Sequence, residues 1–418
     1  MRRILVITYY YPPSTASGAN RWAAMVRHMR ALGHRLWVVT STTTGAWPDD
    51  AEQGIVRAAD LVTSPRLRAA LRRPALAQPG ASVLEPRTPV LLTRGLVPDS
   101  HVVTWVPAAV RAARRLIAEQ AIECVITSGP PDSAHVAGLL LGRRRPAWIA
   151  DFRDGWTFQP LGEPWPTSAQ RWLDRRLERA VATHAERVIG ATRPIAADLE
   201  QRLGARAAWV SNGWDPLVEP DVDAAGALLA PPDGRFVRLV HTGTLSGAWG
   251  RDPRPLLDAL RAFNDRNGGR RVQLVLAGRL TGEERSLLDG AGLGEGLLHL
   301  GLLDRGAAVA LQRSADGLLL LTSTNTSEAT GKLFEYLAAR RPIVALAQGS
   351  EAGRIVAATH SGVVVAPSDR DAITAALRAL VDGEIAFDPA PERSDAYVYP
   401  GPARSTLELV EQAIAQRA

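Results

Sequence analysis

The feature that most constrains the fold is a repeated alternation between short β-rich runs and segments of helical periodicity. In the N-terminal half the β-rich runs are RILVITYY, RLWVVTS, ECVITSG, AWIADF, RVIGAT and AAWVSN. After the Pro- and Gly-rich stretch DPLVEPDVDAAGALLAPPDG the alternation restarts with RFVRLVHTG, VQLVLAG, LLHLG, GLLLLTS, PIVALA and GVVVA. Strands that alternate with helices form parallel sheets covered on both faces. The sequence therefore predicts two α/β domains in succession.

The domain bounds follow from these runs and from the length of the chain. At 418 residues the chain is too long for one ordinary core and suits two domains of about 200 residues each. We place the first domain at 1–215 and the second at 235–395. The last segment, 400–418, is predicted to be an amphipathic helix that packs back across one of the two domains.

Composition argues against several classes of protein. No apolar run reaches the roughly 18 residues that a membrane span needs, and the start MRRILVITYYYPP lacks the long apolar core of a signal peptide, so we expect a cytoplasmic protein. The single cysteine, Cys124, excludes an internal disulfide and a cysteine-based metal cluster. No GxGxxG fingerprint follows the first strand, which argues against a dehydrogenase. The Arg-rich surface contains no recognised nucleic-acid-binding module.

The net charge of +6 suits a phosphate-bearing ligand or an anionic membrane surface. The strongest mixture of basic and apolar residues is SPRLRAALRRPALAQPG at 64–80, which contains four arginines and no acid. Two interpretations of this segment stay open. It lies on the inner face of a membrane as a peripheral contact, or it is a surface excursion bounded by Pro65 and Pro86.

Ligands of parallel sheets bind at the carboxyl ends of the strands, so the loops there are the candidate functional segments. Between two such domains we expect a cleft that holds the ligand. After the first strand, Ser17 and Gly18 precede a helix in a way that offers free backbone N–H groups to a phosphate. A tight turn without a ligand explains these two residues equally well.

The segment DFRDGW places Asp151, Arg153 and Asp154 directly after an apolar strand, and Trp156 adds a flat face suited to stacking on a sugar. Folding seldom requires three charges in four residues at a strand end. The alternative is an Arg and Asp cluster that caps the next helix. His135 follows PPDSA at a predicted helix start, where it either reaches the same loops or is an exposed side chain without a role.

Lys332 is the only lysine in the sequence, whereas arginines are abundant. It stands in the first turn of the predicted helix KLFEYLAAR, with Glu335 one turn further on. A cation at the positive end of a helix costs roughly 0.3–1 kcal/mol, whereas a charge-assisted contact with a phosphate contributes roughly 1.5–3 kcal/mol. The lysine therefore predicts a bound anion, unless a single lysine codon persisted by chance.

The order of these motifs resembles that of a known family. YYYPP, then SGANR opening a helix that ends in ALGH, then SNGWD, GTL and GKLFEYLAARRPIVAL resemble the retaining GT-B glycosyltransferases of family 4, and TSGPP with DFRDGW is similar to a bacterial subgroup. The resemblance covers nearly the whole chain. It implies an α/β GT-B fold in which two Rossmann-like domains face each other across a cleft and the C-terminal helix crosses back to the first domain. It also implies an acceptor held by the first domain and a nucleotide sugar held by the second.

The resemblance further implies roles for individual residues. On the donor side, Thr330, Gly331 and Lys332 match the family's diphosphate-binding positions, Ser17 and Gly18 fall in a glycine loop that faces the same phosphates, and Glu335 matches a carboxylate that binds the donor ribose. The chain departs from the family pattern at two places. The family's arginine and lysine after the first strand of the second domain align with Thr244 and Trp249, so the donor candidates there are Gly243, Thr244, Arg251 and Arg279. Ser327 aligns with the first glutamate of the family's pair, so Glu328, one place further, is also a donor candidate.

For catalysis the resemblance implies Lys332, which would neutralise the leaving diphosphate, together with Arg153 and Asp154. Arg153 stands where the family commonly has a histidine. The acceptor candidates are His135, Asp151, Arg153 and Trp156.

The function implied is transfer of a sugar, of the hexosyl type, from a UDP-, GDP- or dTDP-linked donor to an acceptor hydroxyl with retention of configuration and without a metal. The acceptor is a polysaccharide, a lipid-linked glycan or a small natural product. Two alternatives remain: a nucleotide-sugar epimerase of the same fold, which would need its own acid and base, and a non-catalytic protein that binds nucleotides or glycans.

Overall fold

The computed structural model describes residues 1–14, 16–60, 97–99, 102–159, 167–217, 234–246, 251–266, 268–323 and 325–418. The chain forms two compact units, one of Met1–Ser211 with Tyr399–Ala418 and one of Asn212–Val398. The basic segment at 64–80 lies outside the described residues, and so does the side chain of Ser17. Within the described ranges, no helix is both long and apolar enough to cross a membrane.

The first unit is built on a seven-stranded sheet in which all neighbouring strands are parallel, in the order β3-β2-β1-β4-β5-β6-β7. The strands are β1 (Arg3–Thr8), β2 (Arg35–Ser41), β3 (Ile55–Ala58), β4 (Cys124–Gly129), β5 (Ala147–Phe152), β6 (Arg187–Gly190) and β7 (Ala207–Trp209). In the central register Ile126 lies between Val6 and Ile149. Strands β4 and β5 are buried along their whole length, as expected when helices cover both faces of a sheet.

In the described ranges, the α-helices that connect these strands are α1 (Ser17–Ala31), α2 (Val106–Gln120), α3 (Ser133–Leu140), α4 (Ser168–His184) and α5 (Arg193–Leu203). Local sequence sets their ends. The Thr167 hydroxyl accepts a hydrogen bond from the Gln170 N–H at the start of α4, and Gly204, at φ +68°, ends α5 in the left-handed conformation that glycine adopts without strain.

The second unit contains a six-stranded parallel sheet in the order β10-β9-β8-β11-β12-β13. Its strands are β8 (Phe236–Thr242), β9 (Arg271–Ala277), β10 (Leu297–His299), β11 (Gly317–Leu321), β12 (Ile343–Leu346) and β13 (Gly362–Val365). Its helices are α6 (Arg254–Arg266), α7 (Gly282–Gly290), α8 (Arg305–Ser314), α9 (Gly331–Ala339), α10 (Glu351–Ala358), α11 (Arg370–Asp382) and α12 (Pro391–Ser394). Two parallel sheets with helices confirm the predicted α/β class.

The final helix, α13 (Gly401–Arg417), belongs to the first unit. Its residues Val410 and Ala413 are fully buried and pack in one cluster with Met25 of α1 and Ile149 of β5. Arg417 donates to Glu186 over 2.8 Å. The prediction that the C-terminal helix crosses back to the first domain is therefore confirmed.

Candidate functional site

Each sheet has one position where the strand order reverses, and candidate residues gather at both. In the first sheet β1 lies between β2 and β4, and in the second sheet β8 lies between β9 and β11. Chain connections diverge at such a position and open a crevice beyond the carboxyl ends of the strands, where ligands bind. Gly18 follows β1 and the DFRDGW segment ends β5, whereas Gly243 follows β8 and Lys332 follows β11.

The loop after β8 depends on two glycines. Gly243 has φ +98°, a backbone conformation that other residues rarely adopt. Gly278, which follows β9, leaves no space for a side chain, because a Cβ there would lie 2.2 Å from the carbonyl oxygen of Gly243. The Gly243 N–H also donates to the Ala277 carbonyl over 2.7 Å. The two loops therefore touch backbone to backbone, and no side chain intervenes.

The space that Gly243 leaves open is taken by Lys332. A Cβ on Gly243 would lie 3.1 Å from Lys332 Nζ, and Nζ lies 3.3 Å from His241 Nε2. Burial, and next the neighbouring Arg251 cation, lower the pKa of Lys332 to about 7. Within the described residues no carboxylate forms an ion pair with this ammonium. The described part of the protein thus holds a half-buried cation to which it pairs no carboxylate.

His241, which sequence analysis did not select, is fully buried beneath this lysine. Burial, with the lysine charge as the next cause, lowers its pKa to about 3, so the ring is neutral at pH 7. Its Nδ1 lies 3.0 Å from the Leu319 carbonyl oxygen, and its Nε2 lies 3.0 Å from the Thr244 carbonyl oxygen. The ring thus ties β8 to β11 and to the loop after β8, and its Nε2 edge contacts the Lys332 ammonium. The sequence signal that could have identified His241 is a polar residue near the carboxyl end of an otherwise apolar strand, in the motif HTG.

The start of α9 offers backbone donors in the same place. Thr330 precedes the helix, but its side chain does not cap the first turn. Its hydroxyl oxygen is buried without a hydrogen-bond partner in the described part of the chain. The free N–H groups and the helix dipole both favour an anion at this end. Thr330, Gly331 and Lys332 therefore lie at one uncapped helix start, and diphosphate binding by them stays a prediction.

Arg251 and Glu328 form a nearly buried ion pair in the same unit. The distance from Arg251 Nη2 to Glu328 Oε1 is 2.6 Å. The other carboxylate oxygen accepts from the N–H and the hydroxyl of Ser323, both at 2.7 Å. Both oxygens of Glu328 are thus occupied by protein donors. In this arrangement the carboxylate fixes the loop after β11, and Arg251 contributes positive charge near Lys332.

Glu335 is more available than Glu328. One of its oxygens lies 3.3 Å from Gln312 Nε2 and the other lies 3.6 Å from Arg305, and a quarter of its side chain is exposed. Thr244 is exposed beside Gly243, and Arg279 is exposed just after Gly278. Among the described residues, no group of three or more His, Cys, Asp or Glu side chains is arranged to hold a metal ion.

In the first unit, Asp151 does not face a ligand site. It is fully buried, and its oxygens accept from Arg21, from Trp22 Nε1 over 2.9 Å and from the Ser128 hydroxyl over 2.8 Å. Burial alone would raise the pKa of Asp151, but the Arg21 guanidinium and these hydrogen bonds hold it below its usual value. Asp151 therefore links β5 to α1 and β4, which corrects its expected role in acceptor binding.

Arg153 lies at the start of α1. Its Nε donates to the Gly129 carbonyl over 3.0 Å, and its Nη2 donates to the Pro130 carbonyl. A Cβ on Gly18 would coincide with the guanidinium, since it would lie 1.1 Å from Nη1. Gly18 is thus required by Arg153, whatever else binds there. Ala16, the residue before α1, has no side chain that could cap the helix, so the Arg153 cation lies at a helix N-terminus that this residue leaves uncapped.

His135 and Trp156 lie in the core, which corrects their predicted place at an acceptor surface. Both are at most 5% exposed, and the His135 ring stacks on Phe152 with 4.5 Å between centroids. Burial lowers the pKa of His135 to about 3. Trp156 Nε1 donates to Asp174 over 2.8 Å. Both rings pack near Phe152 at the end of β5, a tertiary contact that a local sequence motif does not reveal.

Asp132, in TSGPPDSAH, is a candidate that sequence analysis missed. A Cβ on Gly129 would lie 2.8 Å from both Asp132 Oδ1 and His135 Nε2, so the two polar atoms face one small volume. Burial, and then Asp99 and other nearby acids, raise the pKa of Asp132 well above its usual value. Asp154 is half-buried close by, directly after Arg153. The half-buried acids of this loop are thus Asp132 and Asp154.

Comparison with family models agrees with this geometry. Residues 18–213 match the glycosyl transferase 4-like domain, and residues 237–383 match the glycosyl transferases group 1 domain. The chain carries both domains of a GT-B glycosyltransferase. No curated protein matches this chain in sequence.

Solved structures show the same fold at low identity. Sucrose-phosphate synthase from Thermosynechococcus elongatus is 19% identical, with all of both chains covered and a TM-score of 0.68. The α,α-trehalose 6-phosphate synthase from Burkholderia multivorans is 13% identical over all of both chains, with a TM-score of 0.62. A UDP-N-acetylglucosamine 2-epimerase from Listeria monocytogenes is 13% identical, covering 99% of this chain and 97% of its own, with a TM-score of 0.55.

Proposed function

We propose that the protein transfers a sugar from a nucleoside diphosphate sugar to an acceptor hydroxyl with retention of configuration. The observation that carries the proposal is Lys332, a half-buried ammonium without a carboxylate partner in the described residues, at the uncapped start of α9 and against Gly243. Two adjacent phosphates of a donor would complete this arrangement. A fixed cation beside the diphosphate stabilises the charge that develops as the sugar departs, and therefore lowers the barrier.

The reaction breaks the bond between the anomeric carbon and the diphosphate oxygen, and it forms a bond from the acceptor oxygen to the same carbon. The acceptor proton passes to the departing phosphate on that face, so the protein need not supply a nucleophile. In this proposal Lys332 and the N–H groups of α9 hold the diphosphate. Glu335 accepts hydroxyl hydrogen bonds from the donor ribose, and the exposed Arg279 adds positive charge.

On the acceptor side we propose Arg153 and Asp154, because these two charged members of DFRDGW are only half-buried, whereas Asp151 is fully buried. Asp132 joins them as the second half-buried acid of these loops. The acceptor itself is a glycan, a lipid-linked glycan or a small hydroxylated molecule, and a hexosyl donor is our default.

The test has two stages. Thermal unfolding with UDP, GDP and dTDP identifies the base, since a ligand at about 100 times its dissociation constant adds roughly 2.7 kcal/mol to the free energy of unfolding. The matching nucleotide sugars are then incubated with acceptor mixtures, and release of the diphosphate and the anomeric configuration of the product are followed by NMR.

Diphosphate release that depends on the acceptor supports the proposal. Conversion of the donor into an epimeric sugar without an acceptor would favour the epimerase instead. Tight binding of the nucleotide without either reaction would favour a non-catalytic nucleotide-binding protein.

A further inference from the structure

Helix α4 presents an unusual surface in the first unit. Trp172 and Leu173 are adjacent on it and are 59% and 42% exposed. An exposed aromatic ring beside an exposed aliphatic side chain offers apolar area whose burial would contribute favourably to binding. The exposed apolar pair therefore indicates a surface that binds something.

The charges of α4 are divided by face. Its two acids point inward: Asp174 accepts from Trp156, and Glu178 accepts from Arg202 over 2.8 and 2.9 Å. Its outward charged side chains are all cationic, and each of them is exposed: Arg171, Arg175, Arg176 and Arg179. Among the described residues neither Arg175 nor Arg179 has an ion-pair partner. The exposed face thus combines positive charge with apolar side chains and contains no acid.

A cavity of about 370 Å³ adjoins this face. Its lining includes Arg175 and Arg179 of α4 together with Arg202 and one acid, Asp198. Arg202 is paired with both Asp198 and Glu178, so the guanidinium groups of Arg175 and Arg179 are the donors that remain for a bound anion. A phosphate group fits this combination of volume and charge.

We propose that the exposed face of α4 docks on an anionic phospholipid surface. Trp172 and Leu173 enter the boundary between lipid headgroups and acyl chains. The surrounding arginines bind the phosphates of the headgroups, and one of these phosphates occupies the cavity. Arginines that flank an exposed aromatic and aliphatic pair on a single helix are the pattern of helices that lie in a membrane interface. Arg176, stacked 4.8 Å from the Trp172 ring centroid, shields the ring until docking.

The proposal is independent of glycosyl transfer, because vesicle binding is measured without donor or acceptor. The full chain is mixed with vesicles of phosphatidylcholine, with and without phosphatidylglycerol, and the bound fraction is determined by flotation. The test variant changes Arg171, Arg175, Arg176 and Arg179 to Gln. The control variant changes four other exposed arginines of the same unit, Arg111, Arg114, Arg115 and Arg144, to Gln.

We expect the wild-type chain to bind the anionic vesicles, weakly at high salt, and to ignore neutral ones. At about 1 kcal/mol per arginine, each substitution in α4 weakens binding roughly five-fold, and four together weaken it by several hundred-fold. Trp172→Ser weakens binding at both low and high salt, whereas Leu140→Ser, at a similarly exposed site on α3, does not. Circular dichroism verifies that each variant is folded.

Three results would overturn the proposal: no binding of the wild type to anionic vesicles, undiminished binding by the α4 variant, or an equal loss in the control variant. The last would mean that net charge alone attracts the protein to lipid. Retention of vesicle binding by the α4 variant would direct attention to another basic surface of the chain.

Discussion

Replacing Lys332 with methionine should stabilise the unliganded protein and weaken its binding to a diphosphate. The two effects have one cause: the ammonium is buried beside Arg251 without a paired carboxylate, and its pKa falls from 10.5 to about 7. Methionine has a similar length and no charge, so it fills the same space beside Gly243. A residue kept for binding at the expense of stability is expected at a functional site.

The size of the stability effect follows from the pKa. A fall from 10.5 to about 7 corresponds to a cost of about 4 kcal/mol at pH 7 if it is carried in full. The lysine is half-buried and keeps some water, so we expect a gain of about 1–3 kcal/mol for Lys332→Met. Because the folded protein releases this proton before the unfolded chain does, the cost is largest below pH 7. It disappears as the pH rises towards 10.5.

The effect on binding has the opposite sign. A charge-assisted contact contributes roughly 1.5–3 kcal/mol, so the dissociation constant for the diphosphate should rise roughly 10- to 150-fold. The affinity of the wild type for a nucleotide sugar should fall as the pH rises above 7, because Lys332 loses its proton there in the unliganded protein. The variant should lack that dependence.

Chemical unfolding between pH 7 and 10 and calorimetric titration with UDP, GDP and dTDP measure both quantities. Arg285→Met, which removes an exposed cation from α7, is the matched control and should change neither by much. Unchanged diphosphate affinity in Lys332→Met would refute the anion site. A less stable variant would refute the argument from burial and charge.

Three further substitutions test the backbone and the first unit. Gly243→Ala should destabilise the second unit by about 1–2 kcal/mol, because of φ +98°, and should weaken diphosphate binding, as measured by unfolding and titration. Gly18→Ala should displace Arg153 and reduce turnover at least ten-fold while the donor base preference is unchanged, as measured by diphosphate release. Asp151→Asn should lower the free energy of unfolding by about 3–5 kcal/mol, because Arg21 would stay buried without its counter-charge.

Matched controls separate these effects from general damage. Gly282→Ala and Gly268→Ala place a methyl group in open space and should be nearly neutral. Asp252→Asn removes the partner of an exposed arginine and should cost under about 1 kcal/mol. If a control variant lost as much stability or activity as its test variant, the specific role assigned to the test residue would be refuted.

The sequence by itself determined the fold class, because strand and helix periodicities are local and their alternation leaves only parallel sheets. It also singled out Lys332 as a candidate, since a cation at the start of a helix is unfavourable unless an anion binds; the role of Lys332 stays a prediction. The buried face of α9 could also be predicted from the sequence: Leu333, Phe334 and Leu337 are all buried.

Only the tertiary structure decided where the charged residues of DFRDGW point. Asp151 and Arg153 stand two places apart, yet Asp151 points into the sheet to meet Arg21, whereas Arg153 turns towards Gly18. The same holds for Glu328 and Glu335, of which the first is occupied by Arg251 and Ser323. A sequence pattern specifies the chemistry that a side chain carries. Whether that side chain stabilises the fold or remains available to a ligand depends on partners distant in the sequence, 130 residues away for Asp151 and 77 for Glu328.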